Sequence, residues 1–172
     1  SINVTKQIVN LSQWLQNAFD AGWQTVDSLL SSSGELRLAA SFRSGEKLAA
    51  IFEATSIKSN SQGGAKVIHL ETPQGNFSVI LAVLVTPGDD SVSNTQAQET
   101  DIKVRVISGS NETSLPSGLQ LTILEESGAI FEETQADSGD NYLQLRISGN
   151  ESEKFSIRVT LDGISITEDF VI

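Results

Sequence analysis

The chain has no cysteine and no methionine, and its 172 residues include a single histidine and three prolines. Without cysteine, a disulfide framework, a zinc ribbon and a cysteine nucleophile are excluded. One histidine supplies no second imidazole for a histidine-based metal site. Aromatic residues make up only 6% of the chain, which disfavours the aromatic platforms that sugar-cleaving sites need.

Basic residues are also scarce, with 11 Lys and Arg against 22 Asp and Glu, for a net charge of -11. This field repels phosphate backbones, and no basic stripe offsets it, so we expect no nucleic-acid partner. One interpretation of the charge is that it favours solubility. The alternative is an acidic face that selects a basic partner.

No apolar run is long enough to span a membrane. The longest, Phe77 to Val85, has the length of a strand and falls far short of about 20 residues. No basic segment followed by an apolar one opens the chain, so no secretion signal is visible. We expect a cytoplasmic protein without membrane contact. Because the sequence begins with Ser1 rather than Met, we interpret it as a domain excised from a longer protein.

Residues 8 to 30 show a helical period. Asn10 is a candidate N-cap, so the helix is expected to begin at Leu11. Gly22 disfavours helix, and Asp20 could cap a second one, so we predict a kink or a break near residues 20 to 22. The apolar positions at steps of three and four are Ile8, Leu11, Leu15, Ala18, Gly22, Val26 and Leu29. Residues 1–33 are therefore predicted to form an N-terminal helical segment.

From residue 34 onward the period changes to two. Residues 36–40 predict a strand, and residues 46–55 are ambiguous between helix and strand. Eight further strands are predicted at 65–71, 76–86, 101–107, 119–124, 129–135, 142–148, 154–162 and 164–172. Short strands without intervening helices are typical of an antiparallel sandwich. The predicted fold is mainly β, an immunoglobulin-like or jelly-roll-like sandwich over residues 34–172, with the amphipathic helix or helix pair packed on it.

Two segments within this pattern stand out. Val79 to Val85 is apolar on both faces, which predicts a central strand. Pro87 to Thr100 has no apolar cluster and predicts a long exposed loop.

A set of short motifs carries a resemblance to a known family. They are Val9-Asn10-Leu11-Ser12-Gln13-Trp14-Leu15, Phe19-Asp20-Ala21-Gly22-Trp23-Gln24, Leu115-Pro116-Ser117-Gly118-Leu119-Gln120-Leu121, Glu151-Ser152-Glu153-Lys154-Phe155-Ser156-Ile157 and the closing Glu168-Asp169-Phe170-Val171-Ile172. Together they resemble the C-terminal portion of the DUF1822 family, cyanobacterial proteins of unknown function. The resemblance spans nearly the whole chain and implies a further N-terminal region. It supplies no catalytic or ligand residues. Where the family tends to have Gly-Glu before the Phe, this chain has Ser152-Glu153.

Trp14 and Trp23 are candidate interaction residues. They are nine positions apart, so a continuous helix would place them about 180° apart. In one interpretation both pack on the sheet, with a kink between them. In the other, one of them anchors the missing N-terminal region or a partner protein.

The second candidate surface is a predicted hairpin around Glu125-Glu126-Ser127-Gly128, a turn signal between two strands. Its candidate interaction residues are Glu125, Glu126, Glu132 and Glu133. These carboxylates, with Asp137 and Asp140 just after the hairpin, could also serve as a glycosidase-type pair, or bind Ca²⁺ in the loop after the hairpin. Their spacing matches no Ca²⁺ motif, so solvated turn acids are the preferred interpretation.

Other catalytic motifs are missing. His69 has no Gly-x-Ser-x-Gly elbow to complete a triad, and no glycine-rich phosphate loop occurs. No enzyme activity, cofactor or metal is therefore expected. The leading hypothesis is a non-enzymatic protein-interaction or regulatory module, the C-terminal domain of a larger cytoplasmic protein. The alternatives are a carbohydrate- or Ca²⁺-binding sandwich and, less favoured, a carboxylate-pair hydrolase.

Overall fold

The computed structural model describes residues 7–16, 18–19, 22–25, 61–88, 99–109 and 114–172. These residues form one short helix, α1 (Leu11–Trp14), and ten strands. The strands are β1 (Ile8–Asn10), β2 (Gln24–Thr25), β3 (Gln62–Thr72), β4 (Gly75–Thr86), β5 (Thr100–Ser108), β6 (Gln120–Glu125), β7 (Ile130–Gln135), β8 (Tyr142–Gly149), β9 (Lys154–Leu161) and β10 (Ile164–Val171). The prediction of a mainly β fold is confirmed.

The strands form two five-stranded sheets. The first sheet has the order β1-β10-β9-β6-β7, and the second has the order β2-β3-β4-β5-β8. Every pairing is antiparallel except that of β1 with β10, which is parallel. Two stacked sheets of mostly antiparallel strands are the arrangement of a β-sandwich, as the strand pattern predicts.

The core lies between the sheets and is built by period-2 alternation. On β9 the four apolar residues are buried, while the polar residues between them are partly or fully exposed. The buried residues of β9 are Phe155, Ile157, Val159 and Leu161. Opposite them, β4 contributes Val79, Leu81, Val83 and Val85 to the same core. Such alternation gives each strand one dry face.

Strand β4 is the middle strand of the second sheet. Its other face carries Ile80, Ala82 and Leu84, which are buried as well. The prediction that Val79 to Val85 forms a central strand is confirmed, because the strand lies between β3 and β5 and is buried on both faces.

The N-terminal segment contains less helix than its period predicts. Asn10 caps α1, as predicted, since its Oδ1 accepts a hydrogen bond of 3.1 Å from the backbone N–H of Ser12. Within the described residues, however, the helix ends at Trp14, and β2 occupies positions that the pattern assigned to helix. Strand β1 lies directly before the predicted helix start. Gly22, where a break was predicted, has a φ of +87°, a left-handed conformation that favours glycine.

Several predictions lie outside the described residues. These are the strand at 36–40, the ambiguous segment at 46–55, the boundary between residues 33 and 34, the capping role of Asp20 and most of the loop between Pro87 and Thr100. In the described part of the chain, no helix is long and apolar enough to span a membrane.

Candidate interaction surface

Trp14 and Trp23, the two tryptophans singled out from the sequence, lie in the core. Both are buried, and their ring centroids are 5.2 Å apart. Trp14 also contacts Phe19 at 5.2 Å, and Trp23 contacts Phe170 edge-on at 5.5 Å. The interpretation in which both pack on the sheet describes this geometry. Neither ring is presented to solvent as an anchor for a partner.

The acidic hairpin has the predicted form. β6 and β7 pair antiparallel, and the turn between them closes with a hydrogen bond of 2.8 Å from the Glu125 N–H to the Ala129 carbonyl. Gly128 has a φ of +91° in this turn, which explains why glycine is needed there. Glu125, Glu126, Glu132 and Glu133 are all exposed. Of the four predicted acids, Glu125 and Glu126 therefore lie at the turn of the hairpin, and Glu132 and Glu133 lie on its second strand.

The register of the hairpin places the two acids of β7 on opposite sides. Glu132 pairs with the core residue Ile123, whereas Glu133 pairs with Thr122. Residues directly opposite each other share a face of the sheet. Glu132 thus lies on the side of the core, at its rim, and Glu133 lies on the outer side. The Thr122 hydroxyl donates a hydrogen bond of 2.7 Å to Glu133 Oε2, which orients that carboxylate.

Strand β7 is the edge of its sheet. Five of its six residues are exposed, and in the described part of the chain no strand pairs with its free side. An edge strand presents a row of unpaired N–H and C=O groups that can receive another strand. Ile123 pairs with Glu132 and Leu124 pairs with Ile130, so the register shifts at Phe131, which has no pairing residue on β6. From Glu132 to Gln135 the pairing with β6 is regular.

Two apolar side chains are exposed beside these acids. Ile130 is 57% exposed and Phe131 is 48% exposed. A single exposed apolar residue is ordinary, but two adjacent large ones on an edge strand are the kind of feature that marks interaction sites. Neither residue was among the candidates predicted from the sequence. The signal was available, since strict alternation allows only one of two neighbouring strand residues to face the core.

The hairpin carboxylates have no cationic partner among the described residues. The ion pairs Lys66–Glu168 and Arg146–Asp101 both lie outside the hairpin. Four exposed carboxylates that form no ion pair add to the negative field of a chain whose net charge is already -11.

Other groups considered for catalysis are dispersed. His69 is exposed, and its Nδ1 lies 2.9 Å from the hydroxyl oxygen of Ser78. No group of three or more metal-ligating side chains occurs in the described residues. Glu126 and Asp169 line one cavity of about 220 Å³ together with Lys154, a grouping that sequence reasoning missed because the three residues come from different elements.

A family model described as a protein of unknown function (DUF1822) matches residues 2–171. The chain belongs to the DUF1822 family. A comparison with curated proteins finds no match. The helix-cap motif and the closing Phe-Val-Ile motif that carry the resemblance can now be placed in the DUF1822 fold. Val9 lies on β1 and pairs with Phe170 on β10, so the first and the last of these motifs meet in a parallel strand pair.

Proposed function

We propose that this DUF1822 chain is a non-enzymatic interaction module that binds an extended, basic segment of a partner protein along strand β7. The observation that supports this most directly is the free edge of β7, which carries exposed Ile130 and Phe131 beside Glu132 and Glu133. The bound segment adds a sixth strand to the sheet of β1, β10, β9, β6 and β7.

Backbone hydrogen bonds provide the first part of the affinity. The outward N–H and C=O groups of β7 need partners of the same kind, and an extended peptide supplies them without regard to its side chains. Recognition by strand addition requires an accessible edge. β7 offers one, since five of its six residues are exposed and its pairing with β6 is regular from Glu132 to Gln135.

Side chains provide the selectivity. Burial of Ile130 and Phe131 against apolar residues of the partner contributes about 25 cal/mol per Å² of apolar surface. The carboxylates of Glu132 and Glu133 favour Lys or Arg at neighbouring positions of the bound segment, one on each face of the sheet. Glu125 and Glu126 at the turn extend the negative field. Rim charges of this type accelerate association and make it sensitive to salt.

The charges also argue against a second copy of this chain as the occupant. Pairing two β7 strands would bring the same acids of two copies together, and like charges on neighbouring strands are destabilising. Acidic and inward-pointing residues on edge strands are a known protection against such self-pairing. A basic partner is the occupant that these residues accept.

The test is a pull-down from native lysate with three baits, read by mass spectrometry. The baits are the wild type, Glu132→Lys/Glu133→Lys, and Glu71→Lys/Glu151→Lys as a control. The control reverses two exposed carboxylates on β3 and on the β8–β9 turn, so the change in net charge is identical. We expect a partner retained by the wild type and the control, and lost at least about tenfold with the hairpin variant.

Hydrogen exchange on the purified complex then locates the contact. Strand addition predicts new protection of backbone amides on β7 and none on β8, the edge of the other sheet. The proposal fails if no protein distinguishes the hairpin variant from the control. It also fails if the captured partner protects a different surface.

A further inference from the structure

A cleft of about 580 Å³ lies where the end of β7 meets the start of β8. Its lining includes Gln135 from β7, Asp140 and Asn141 from the connecting loop, and Tyr142 and Gln144 from β8. These five side chains carry three neutral amides, one phenol hydroxyl and one carboxylate. The cleft is thus polar, with a single aromatic ring.

The ring of Tyr142 is held in place by Arg105. The guanidinium carbon of Arg105 lies 4.1 Å from the centroid of the Tyr142 ring, a cation–π distance. Arg105 is itself buried, and its Nε and Nη2 donate hydrogen bonds of 2.9 and 2.5 Å to Gln144 Oε1. Despite this contact, Tyr142 remains 45% exposed. The ring is therefore a fixed platform that still has surface to offer.

The loop before Tyr142, which also lines the cleft, is fixed by hydrogen bonds. The Asp140 carbonyl accepts a hydrogen bond of 2.8 Å from the Leu115 N–H, and Asp140 Oδ2 accepts one of 2.8 Å from the Asp137 N–H. Because both ends of this turn are bonded, the cleft is formed before any ligand arrives. Preformed sites avoid the entropic cost of ordering a loop on binding.

Several polar atoms in the cleft still have hydrogen-bonding capacity. Gln144 and Gln135 use their Oε1 atoms to accept from Arg105 and from Gln120, so both Nε2 groups remain donors. Asp140 uses Oδ2, so Oδ1 remains an acceptor. In the described part of the chain, no contact engages these remaining atoms.

We propose that this cleft binds a carbohydrate, with a sugar ring stacked on Tyr142 and its hydroxyls bonded to Gln135, Gln144 and Asp140. Sugars present an apolar ring face beside hydroxyls that both donate and accept, which is the combination that an aromatic ring with amides and a carboxylate complements. A phosphorylated ligand is disfavoured by Asp140 and by the net charge of -11. An apolar ligand would leave the amides without partners.

This site does not depend on strand addition at β7, and its test keeps the two apart. We would record amide spectra of the ¹⁵N-labelled chain during titration with maltotriose, cellotriose, chitotriose and galactobiose at up to millimolar concentration. At least one of these sugars should shift the backbone amides of Asn141 and Tyr142 and the side-chain amide of Gln144 in a saturable way.

Three variants of cleft residues and one control on the hairpin test the contacts. Tyr142→Ala should weaken the affinity at least about tenfold, whereas Tyr142→Phe, which keeps the ring, should retain binding within about threefold. Gln135→Ala changes an exposed residue that does not touch Arg105, so it should fold normally and still weaken binding. Phe131→Ala, on the hairpin, should have no effect on the sugar. If no sugar shifts these amides, or if Tyr142→Ala binds as well as the wild type, the carbohydrate site is refuted.

Discussion

The ring of Trp14 lies directly against the backbone of Gly64. A Cβ atom added to Gly64 would come within 2.6 Å of Cζ3 and Cη2 of that ring, far closer than two carbons can approach. Glycine is needed here because the helix α1 lays its largest side chain across β3, and only a residue without a side chain leaves room for it.

Replacing this glycine should therefore destabilise the fold. We expect Gly64→Ala to lower the free energy of unfolding by about 2–3 kcal/mol, since the clash forces the ring or the strand to shift. The change is measured by urea unfolding followed by circular dichroism. In a Trp14→Phe background, the smaller ring should relieve much of the clash, so the same substitution should cost less. Equal costs in the two backgrounds would show that Trp14 is not the obstacle.

The stacked ring pair behind Trp23 makes a second prediction. Phe170 stacks on Phe155 with centroids 5.1 Å apart and meets Trp23 edge-on. Phe170→Ala should cost about 3–5 kcal/mol, as large-to-small changes in a core do. Phe131→Ala removes the same side chain from an exposed position and should change stability by no more than about 0.5 kcal/mol. Thermal unfolding of both variants tests this. Similar losses would mean that Phe131 is packed rather than exposed.

A third prediction concerns the ion pair between the two sheets. Lys66 on β3 lies 2.6 Å from Glu168 on β10, and the side chain of Glu168 is only 13% exposed. Glu168→Gln should cost about 1–2 kcal/mol, because it leaves a partly buried ammonium with a weaker partner. In contrast, the Arg146 side chain that pairs with Asp101 is 61% exposed, so Asp101→Asn should cost less than about 0.5 kcal/mol.

Salt separates these two ion pairs further. Raising the ionic strength should abolish the small cost of Asp101→Asn and leave most of the cost of Glu168→Gln, since buried pairs are screened less. Urea unfolding at low and high NaCl measures both. A cost of Glu168→Gln that disappears in salt would place the Lys66–Glu168 pair among ordinary surface contacts.

The strands from β3 to β10 could be predicted from the sequence, for a local reason. Alternation such as Phe155, Ile157, Val159 and Leu161 records which face is buried, and turn residues such as Gly128 fix where the chain reverses. Both signals depend only on neighbouring residues. They predict where each strand begins and ends, but they do not predict the order of the strands in the two sheets.

The structure of the N-terminal segment was harder to predict from the sequence, because its apolar residues follow a helical period without forming one long helix. Leu11 and Trp14 follow that period and are buried in α1, but Trp23 reaches the core from beside the short strand β2. The parallel pairing of Val9 with Phe170 joins residues at opposite ends of the chain. No local sequence pattern predicts such a contact, because the two strands are far apart in the chain. The helix itself is short because tertiary packing overrides helix propensity in short segments.

In the candidate surfaces too, the features set by neighbouring residues could be predicted, and those set by strand order could not. The four hairpin acids were visible as a charged turn between two strands, but the edge position of β7 depends on which strand pairs with which. The cleft beside Tyr142 was not predicted, since it combines Arg105 from β5, Gln135 from β7 and Gln144 from β8. Residues so far apart in sequence are joined only by the fold.

The last prediction follows from the charge of the free edge of β7. If Glu132 and Glu133 prevent two copies from pairing through this edge, then replacing both with threonine should permit it. Threonine is a good strand former without charge. Each like-charge pair across neighbouring strands costs about 0.2–1 kcal/mol, so removing several should strengthen self-association by at least about tenfold. Sedimentation velocity at increasing concentration measures the effect. The matched control, Glu125→Thr/Glu126→Thr, removes the same charge from the exposed turn and should not associate. If both variants associate equally, net charge rather than the β7 edge keeps the copies apart.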